Sequence, residues 1–381
     1  MKLSNLTVLH GILRDPLIAA FAAADGKKSR AQFLRRLYER GAETAFAAYV
    51  ADAVLTDENA FSRACAARGR VSSFVREAYL TDIRAIGEAL GETEEDGFRV
   101  GRAPSPFTGW DETTVHRLTA LYRKSGYGRY LLHNAFRFRA GELVPILSPS
   151  DVTLADLKGY EREKAEVRDN FENFVRGLPY ADMLLYGDRG TGKSSTVHAM
   201  VNLFSEQKLR LVEIAKENVL SLPELKTRLA DEPMKFIVFI DDFSLQESDD
   251  RVSTLKAALQ GSMEGHVGNV MIVATSNRRH IVEENFSSRM NSVHAGDSEE
   301  ELLSLSDRFG ITVLFAATNK EAYLAIVRAV AADAGLRTPA ETLEALAERW
   351  ALIHGGRSPR RARQFVDYAY SCECKGREIE V

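Results

Sequence analysis

The sequence predicts an α/β protein, in which a five-stranded parallel sheet lies between a mostly helical N-terminal region and a helical C-terminal region. Two observations predict this fold class. Apolar side chains recur at the three-to-four-residue spacing of amphipathic helices in residues 1–145, whereas short apolar runs alternate with helical stretches from residue 146 onward. Strands separated by helices form parallel sheets covered on both faces. We therefore expect three domains: 1–145, 146–317 and 318–381.

The composition is that of an ordinary soluble globular protein, with 45% apolar residues, 27% charged residues and a formal net charge of −4. Its 381 residues suffice for two or three domains, each with a sizeable core. The near-neutral charge provides no overall argument for nucleic-acid binding, although local basic patches could still act. The three cysteines are too few for a disulfide framework and lack zinc-site spacing, so we expect them to be reduced.

The N-terminal third has helical periodicity over residues 29–55, 71–90 and 113–124, and it contains no catalytic spacing. A helical scaffold or docking domain is therefore the favoured interpretation. The apolar segment 17–24 is short for a signal sequence and far too short to span a membrane. We interpret it as a buried helix of a cytoplasmic protein.

The strands and the C-terminal helices are predicted from apolar runs and their spacing. Five short apolar runs predict the strands, at residues 182–187, 209–215, 235–241, 269–275 and 311–317. Three amphipathic stretches predict the C-terminal helices, at residues 319–335, 339–354 and 358–371.

The most specific motif is GDRGTGKS, which matches the phosphate-loop pattern G-x-x-x-x-G-K-[ST] at every defined position. It follows the first predicted strand and opens a helix, where backbone N–H groups and the helix N-terminus favour a phosphate. Lys193 is expected to contact the β- and γ-phosphates, and the Ser194 hydroxyl to ligate Mg²⁺. The predicted nucleotide-binding residues of this loop are Gly187, Asp188, Arg189, Gly190, Thr191, Gly192, Lys193, Ser194 and Ser195.

Two further strands end in polar residues that suit nucleotide chemistry. KFIVFIDDF delivers Asp241, which we expect to hold Mg²⁺, and Asp242, which would orient or deprotonate the attacking water. The alternative is a solvated acidic strand end. NVMIVATSN ends at Asn277, whose amide could sense the γ-phosphate, although an Asn after a strand is often a turn residue.

A basic first turn begins the last predicted helix. Ser358 and Pro359 suit the N-cap and the first helical position, and Arg360 and Arg361 follow them. The helix dipole disfavours cations there, which suggests that the positive charge contacts a phosphate. A basic patch for nucleic acid is the competing interpretation.

Together and in this order, the motifs over residues 150–370 resemble the AAA+ ATPase superfamily. GDRGTGKS resembles its Walker A motif and FIVFIDDF its Walker B motif. The segment LADLKGYEREKAEVRDNFENFVRG resembles the one that precedes Walker A in that family. This resemblance implies that Leu157, Gly159 and Tyr160 lie near the adenine.

The resemblance also suggests roles for three polar residues. Asn277 resembles the first sensor, Arg308 the arginine finger that acts across a subunit boundary, and Arg360 the second sensor on a helical lid, with Arg357 as the alternative to Arg360. Arg308 follows an amphipathic stretch containing Leu302, Leu303 and Leu305, and pairing with a carboxylate is its competing role.

Asp242 stands where the superfamily usually has glutamate, which puts the rate of hydrolysis in question more than nucleotide binding. ATSNRRH and LSLSDRFG are similar to a bacterial group of predicted AAA+ ATPases of uncharacterised role. Residues 215–229 contain no aromatic–apolar–glycine loop, so a threading unfoldase is disfavoured.

The resemblance implies an ATPase that uses ATP and Mg²⁺ to remodel or regulate a macromolecular partner. We expect a homo-oligomer with ATP at its subunit interfaces, a protein partner recognised by residues 1–145, and no membrane span. Two alternatives stay open. One is an assembly switch with little turnover, and the other is a nucleic-acid loader that uses Arg278, Arg279 and the arginines of 357–363.

Overall fold

The part of residues 3–134 that the structure describes is mostly helical, as the apolar periodicity predicts. The computed structural model describes residues 3–24, 27–42, 44–95, 101–243, 245–246, 268–277, 282–283 and 308–381. The N-terminal α-helices are α1 (Pro16–Ala22), α2 (Lys27–Arg40), α3 (Phe46–Thr56), α4 (Ala60–Ala66), α5 (Ser73–Glu95), α6 (Glu112–Ser125) and α7 (Arg129–Leu132). Short 3₁₀ helices, Leu3–Asn5 and Leu9–Arg14, precede them.

Aromatic side chains form the core of these helices. Phe21, Phe33 and Phe46 come from three different helices, and their ring centroids lie 4.9–5.3 Å apart. Phe61 stacks on Tyr79 at 4.0 Å, and both side chains are fully buried. The helical N-terminal region therefore has a core of its own.

Seven strands form the main sheet, in the order β2-β1-β4-β5-β7-β3-β9. They are β1 (Ala135–Arg139), β2 (Glu142–Pro145), β3 (Met183–Gly187), β4 (Leu209–Ile214), β5 (Lys235–Ile240), β7 (Val270–Ser276) and β9 (Ile311–Phe315). Only the β1–β2 pair of this sheet is antiparallel. Two short strands, β6 (Leu245–Gln246) and β8 (Val282–Glu283), pair separately. The predicted α/β class is confirmed, and all five predicted strands are present.

The hairpin β1–β2 lies ahead of the expected domain boundary and makes the sheet seven-stranded rather than five-stranded. Strand β1 runs parallel to β4, with Phe136 opposite Val212. Apolar and charged residues alternate in the hairpin, so that Phe136 and Phe138 are buried while Arg137 and Arg139 are exposed. The share of charged residues is higher in this hairpin than in the runs that predicted the other strands.

Six further α-helices accompany the sheet: α8 (Glu161–Arg176), α9 (Lys193–Leu203), α10 (Leu222–Ala230), α11 (Lys320–Ala334), α12 (Ala340–Ile353) and α13 (Pro359–Cys374). The 3₁₀ helix Leu154–Asp156 precedes α8, and two others, Ser205–Gln207 and Lys216–Ser221, lie between α9 and α10. None of the helices in the described ranges is long and apolar enough to cross a membrane.

The chain divides into two compact units. The first comprises residues 1–134 with 206–208 and 232–234, and the second comprises the sheet, its helices and the last three helices. Helices α11, α12 and α13 pack on one another through a core that includes Tyr323, Val327 and Phe365. The sheet and these helices thus form one unit, and the division into three domains stays a prediction.

The parallel register of the central strands brings three loop segments to one edge of the sheet. Strand β7 lies between β3 and β5 and is buried along its whole length. Since all three strands run in the same direction, their carboxyl ends meet at the same edge. Gly187, Asp241 and Asn277 follow or end these strands, and they define the candidate site.

Replacing Asn170 by Ala tests the packing of α8 on this sheet. The buried Asn170 amide accepts from Ala181 N–H at 3.0 Å and donates to Ala181 C=O at 2.8 Å. Loss of both contacts is expected to lower the free energy of unfolding by about 1–3 kcal/mol. Urea denaturation followed by circular dichroism measures the change. Asp169→Ala, an exposed neighbour on α8, is the control, and an equal loss in both variants would contradict the assignment.

Candidate nucleotide-binding site

The phosphate loop is held against the neighbouring strand. Gly187 has a φ of 130°, and a Cβ at this position would lie 2.1 Å from the backbone oxygen of Phe315 on β9. The same oxygen accepts a hydrogen bond from Asp188 N–H at 3.2 Å. Glycine is therefore required at the point where β3 turns into the loop, because only glycine adopts this conformation without a clash.

Helix α9 begins at Lys193, whose side chain turns back into the loop. Its ammonium donates to the carbonyls of Gly187 at 2.8 Å and Asp188 at 2.7 Å, and to Asn277 Oδ1 at 3.4 Å. Burial lowers the pKa of Lys193, while the carboxylates of Asp188, Asp242 and Asp241 act in the opposite direction. The site thus presents a buried cation together with the N-terminus of a helix, a combination that favours a phosphate.

The phosphate loop and the acidic end of β5 meet at a single carboxylate oxygen. Ser194 Oγ donates to Asp241 Oδ1 at 2.5 Å, and Thr275 Oγ1 donates to the same oxygen at 2.6 Å. Hydroxyl and carboxylate oxygens are ligands that Mg²⁺ prefers, and Mg²⁺ is usually held by one or two protein groups together with substrate phosphates. The donor set of Ser194 and Asp241 therefore fits Mg²⁺.

Asp242 and Asn277 form a second pair beside Lys193. Asn277 Nδ2 donates to Asp242 Oδ1 at 2.5 Å. Asp242 has a left-handed φ of 48°, and its N–H donates to Thr275 Oγ1 at 2.9 Å. The structure thus brings together Lys193, Asp242 and Asn277, three side chains that the sequence assigned to one reaction centre.

A cavity of about 280 Å³ opens beside the loop, and the residues predicted to lie near the adenine line it. Leu157, Gly159 and Tyr160 line it together with the loop residues Gly190, Thr191, Gly192 and Ser195. The Tyr160 hydroxyl donates to Ala316 C=O at 2.6 Å, and its ring packs against Phe315 with centroids 5.3 Å apart. Further lining residues are Val152, Asp156, Lys158, Lys164, Thr196, Phe315, Ile326, Val330, Pro359, Arg360 and Arg363.

The start of α13 contacts the phosphate loop. Arg360 N–H donates to Gly190 C=O at 3.1 Å, and the Arg360 side chain lines the cavity. Ser358 Oγ accepts from Arg361 N–H at 3.3 Å, which confirms the predicted N-cap. Arg357 instead pairs with both carboxylate oxygens of Glu348, at 2.9 and 2.7 Å. Of the two candidates for the second sensor, Arg360 is therefore the one positioned at the cavity.

Arg308 lies away from the site of its own chain. It precedes the amino end of β9, whereas the phosphate loop follows the carboxyl end of the parallel strand β3. At about 3.3 Å per residue, the length of β9 separates Arg308 from the loop by roughly 15 Å. The predicted helical stretch with Leu302, Leu303 and Leu305 lies outside the described residues, as do Arg278 and Arg279.

Sequence reasoning missed Thr275 as a residue of the site, and it considered Arg363 only as part of a basic surface for nucleic acid. Thr275 is the penultimate residue of β7, and Asn277 follows the strand two positions later. Arg363 follows Arg360 by one helical turn and lines the same cavity. Both spacings are visible in the sequence, but they indicate residues of the site only when β7 and α13 are known to lie beside the loop.

Gly187→Ala tests how tightly β9 restrains the loop, with Gly177→Ala as the control. Gly177 also has a left-handed φ, 72°, but no neighbouring atom lies within 4 Å of an added Cβ. We expect a loss of about 1–2 kcal/mol at Gly177 from backbone strain alone. At Gly187 the clash with Phe315 C=O should raise the loss to about 2–5 kcal/mol. Similar urea midpoints for the two variants would contradict the contact.

Solved structures that match part of this chain include RuvB and the AAA domain of FIGL-1. RuvB of Thermotoga maritima, described as a Holliday junction branch migration motor, is 16% identical with a TM-score of 0.42. The match covers 59% of this chain and 66% of the RuvB chain, so this chain spans just under two thirds of that relative. The FIGL-1 AAA domain in complex with ADP is 21% identical with a TM-score of 0.41, over 60% and 76% of the respective chains.

A search of curated proteins found no match to this chain. Residues 132–373 match the model of a protein family whose description is "Protein of unknown function (DUF815)". The matched region begins just before β1 and ends at the last turn of α13, and it includes the phosphate loop, both aspartates and Asn277. Because this match covers more than half of the sequence, the chain belongs to the DUF815 family.

Proposed function

We propose that the protein binds ATP with Mg²⁺ at the phosphate loop and hydrolyses it, as an AAA+ ATPase. The observation that supports this best is the contact between Ser194 and Asp241, at 2.5 Å. It joins the hydroxyl of the loop to the carboxylate of the acidic strand end, two groups far apart in sequence. Their adjacency is what a magnesium-dependent phosphate site requires.

Binding of ATP would use the loop for the phosphates and the lined cavity for the base. Leu157, Gly159 and Tyr160 would lie near the adenine, and the N-terminus of α9 with Lys193 would hold the phosphates. Four of the lining residues are cations, whereas Asp156 is the one carboxylate among them; the cations are Lys158, Lys164, Arg360 and Arg363. Lys158 and Lys164 are paired with Asp333 and Glu161, so the positive charge that would meet a polyanionic ligand comes from the two arginines.

Ser194 and Asp241 would hold the magnesium ion. When bound, Mg²⁺ neutralises charge that develops on the phosphate oxygens during the reaction. The two side chains need little rearrangement for this role, because the hydroxyl and the carboxylate already touch. Lys193, with its buried ammonium, would neutralise part of the remaining phosphate charge.

Hydrolysis would use Asp242 to orient the attacking water or accept its proton, with Asn277 holding the carboxylate. Asp242 is exposed at the end of β5, and its Oδ1 is the acceptor of the Asn277 amide. Aspartate is about 1.5 Å shorter than glutamate, and a displacement of about 1 Å at a reacting group can cost 10²-fold in rate. A slow ATPase is the outcome that this geometry supports.

Completion of the site by a second subunit would explain the position of Arg308. Since Arg308 lies at the opposite edge of the sheet from its own loop, it would act as an arginine finger on a neighbouring copy. We therefore include a homo-oligomer in the proposal. The energy of turnover would act on a macromolecular partner recognised by the helical N-terminal unit.

A second candidate function is a nucleotide-dependent assembly switch with little turnover. The hydrogen bond from Asn277 to Asp242 favours it, because this bond uses one of the two carboxylate oxygens that could otherwise accept from water. The nucleic-acid loader has less support, since Arg357 is bound to Glu348 and is thus already paired.

Lys193→Ala is expected to abolish the stabilisation of the protein by ATP and Mg²⁺. At an ATP concentration of about 100 times the dissociation constant, the wild type should gain about 2.7 kcal/mol. Thermal unfolding with and without ATP measures this shift. Lys375→Ala removes an exposed lysine at the end of α13 and is the matched control, which should keep the shift. A preserved shift in Lys193→Ala would contradict the phosphate-loop assignment.

Mixing two inactive variants tests whether subunits share a site. Arg308→Ala should keep the ATP-dependent thermal shift but lose about 10³-fold or more in turnover, the usual contribution of an arginine finger. Lys193→Ala should neither bind nor turn over ATP. In a mixture, a subunit with Arg308 can complete the intact loop of its neighbour, so phosphate release should recover.

The amount of recovered activity should rise with total protein concentration, because it depends on assembly. Wild-type turnover that is independent of concentration and of the Arg308→Ala change would contradict the shared site. ATP that stays bound without phosphate release over hours would instead support the assembly switch.

A further inference from the structure

Thr275 contacts both aspartates of the site, although it lies in a strand that is buried along its whole length. It lies near the carboxyl end of β7 and is 2% exposed. Strand β7 runs between β3, which leads into the phosphate loop, and β5, which leads into the two aspartates. The Thr275 hydroxyl therefore lies between the phosphate loop and the two aspartates.

The residue makes three hydrogen bonds to three consecutive residues. Its hydroxyl donates to Asp241 Oδ1 at 2.6 Å and accepts from Asp242 N–H at 2.9 Å. Its carbonyl accepts from Phe243 N–H at 2.7 Å. Thr275 thus determines the path of the chain as it leaves β5, at the two positions proposed to hold the metal and the water.

Each hydroxyl contact has a distinct consequence. The bond to Asp241 restrains the carboxylate oxygen that also accepts from Ser194. The bond from Asp242 N–H supports a left-handed backbone, a conformation that non-glycine residues adopt rarely and that aspartate tolerates better than most. In this conformation the Asp242 carboxylate lies within reach of Asn277.

We propose that Thr275 is a positioning residue, whose hydroxyl sets the Asp241 carboxylate for Mg²⁺ and the Asp242 carboxylate for water. This inference rests on the proposed function of the site. Residues that orient metal ligands typically contribute 10- to 100-fold to metal affinity or activity. Thr275 would act through the two aspartates and would not touch the substrate.

A packing role is the competing explanation, and two substitutions separate it from a hydroxyl role. Thr275→Val keeps the branched shape that suits a buried strand but removes both hydroxyl contacts. Thr275→Ser keeps the hydroxyl and removes the buried methyl group. Packing therefore predicts that the serine variant is the worse of the two, whereas positioning predicts the reverse.

The experiment titrates Mg²⁺ at fixed, saturating ATP with the full chain, and follows both the melting temperature and the release of phosphate. Thr275→Val should need 10- to 100-fold more Mg²⁺ for half of the magnesium-dependent effect, or lose that factor in turnover. Its stabilisation by ATP in the presence of EDTA should match the wild type. Thr275→Ser should follow the wild type in both titrations.

Asp241→Asn provides a test that a purely structural role cannot pass. If Thr275 acts on the metal through Asp241, then adding Thr275→Val to Asp241→Asn should change the magnesium requirement no further. Independent effects that multiply in the double variant would overturn the proposal. The melting temperature without ligands reports whether each variant is folded.

Two results separate this inference from the function on which it rests. A wild type without any Mg²⁺- and ATP-dependent stabilisation would overturn both. A wild type that responds normally, with Thr275→Val equal to it or Thr275→Ser impaired as strongly as Thr275→Val, would overturn only the positioning role. The positioning role is supported if Thr275→Ser has the magnesium requirement of the wild type while Thr275→Val needs more Mg²⁺.

Discussion

The parallel pairing of β7 with both β3 and β5 is the constraint on which the site depends. It places the ends of three strands side by side, although the residues that follow them are up to 90 positions apart in sequence. Ser194, Asp241 and Thr275 come from these three places and meet at one carboxylate oxygen. A change in the register of β7 by one residue would move Thr275 to the opposite face of the sheet and separate it from Asp241.

Burial of the strands explains why the polar groups gather at the sheet edge. β5 and β7 are apolar and covered on both faces, so a polar side chain within them would need a partner. Thr275 satisfies this requirement through Asp241 and Asp242. At the carboxyl end the chain leaves the core, and charged groups can be held close together because a ligand or solvent can reach them. The polar residues of the site therefore lie at this edge, where the buried strands end.

The C-terminal helices connect the loop to the cavity. Arg360 N–H reaches Gly190 C=O, while the side chains of Arg360 and Arg363 line the cavity next to Tyr160. A ligand that bridged the loop and these arginines would hold both together, which offers a physical route from nucleotide binding to movement of α13. Arg308, at the far edge of the sheet, would extend this coupling to a second copy in the proposed assembly.

The sequence by itself determined the five core strands, the phosphate loop, the acidic strand end and the N-cap of α13, because each depends on local spacing of residue types. The hairpin β1–β2 could not be placed in the sheet from the sequence, because the alternating pattern of the hairpin does not indicate that β1 pairs with β4. Only the tertiary structure placed Arg360 at the cavity and Arg357 against Glu348, put Arg308 at the opposite edge and brought Thr275 to Asp241. These outcomes depend on strand order and register, which are decided by packing between segments distant in sequence.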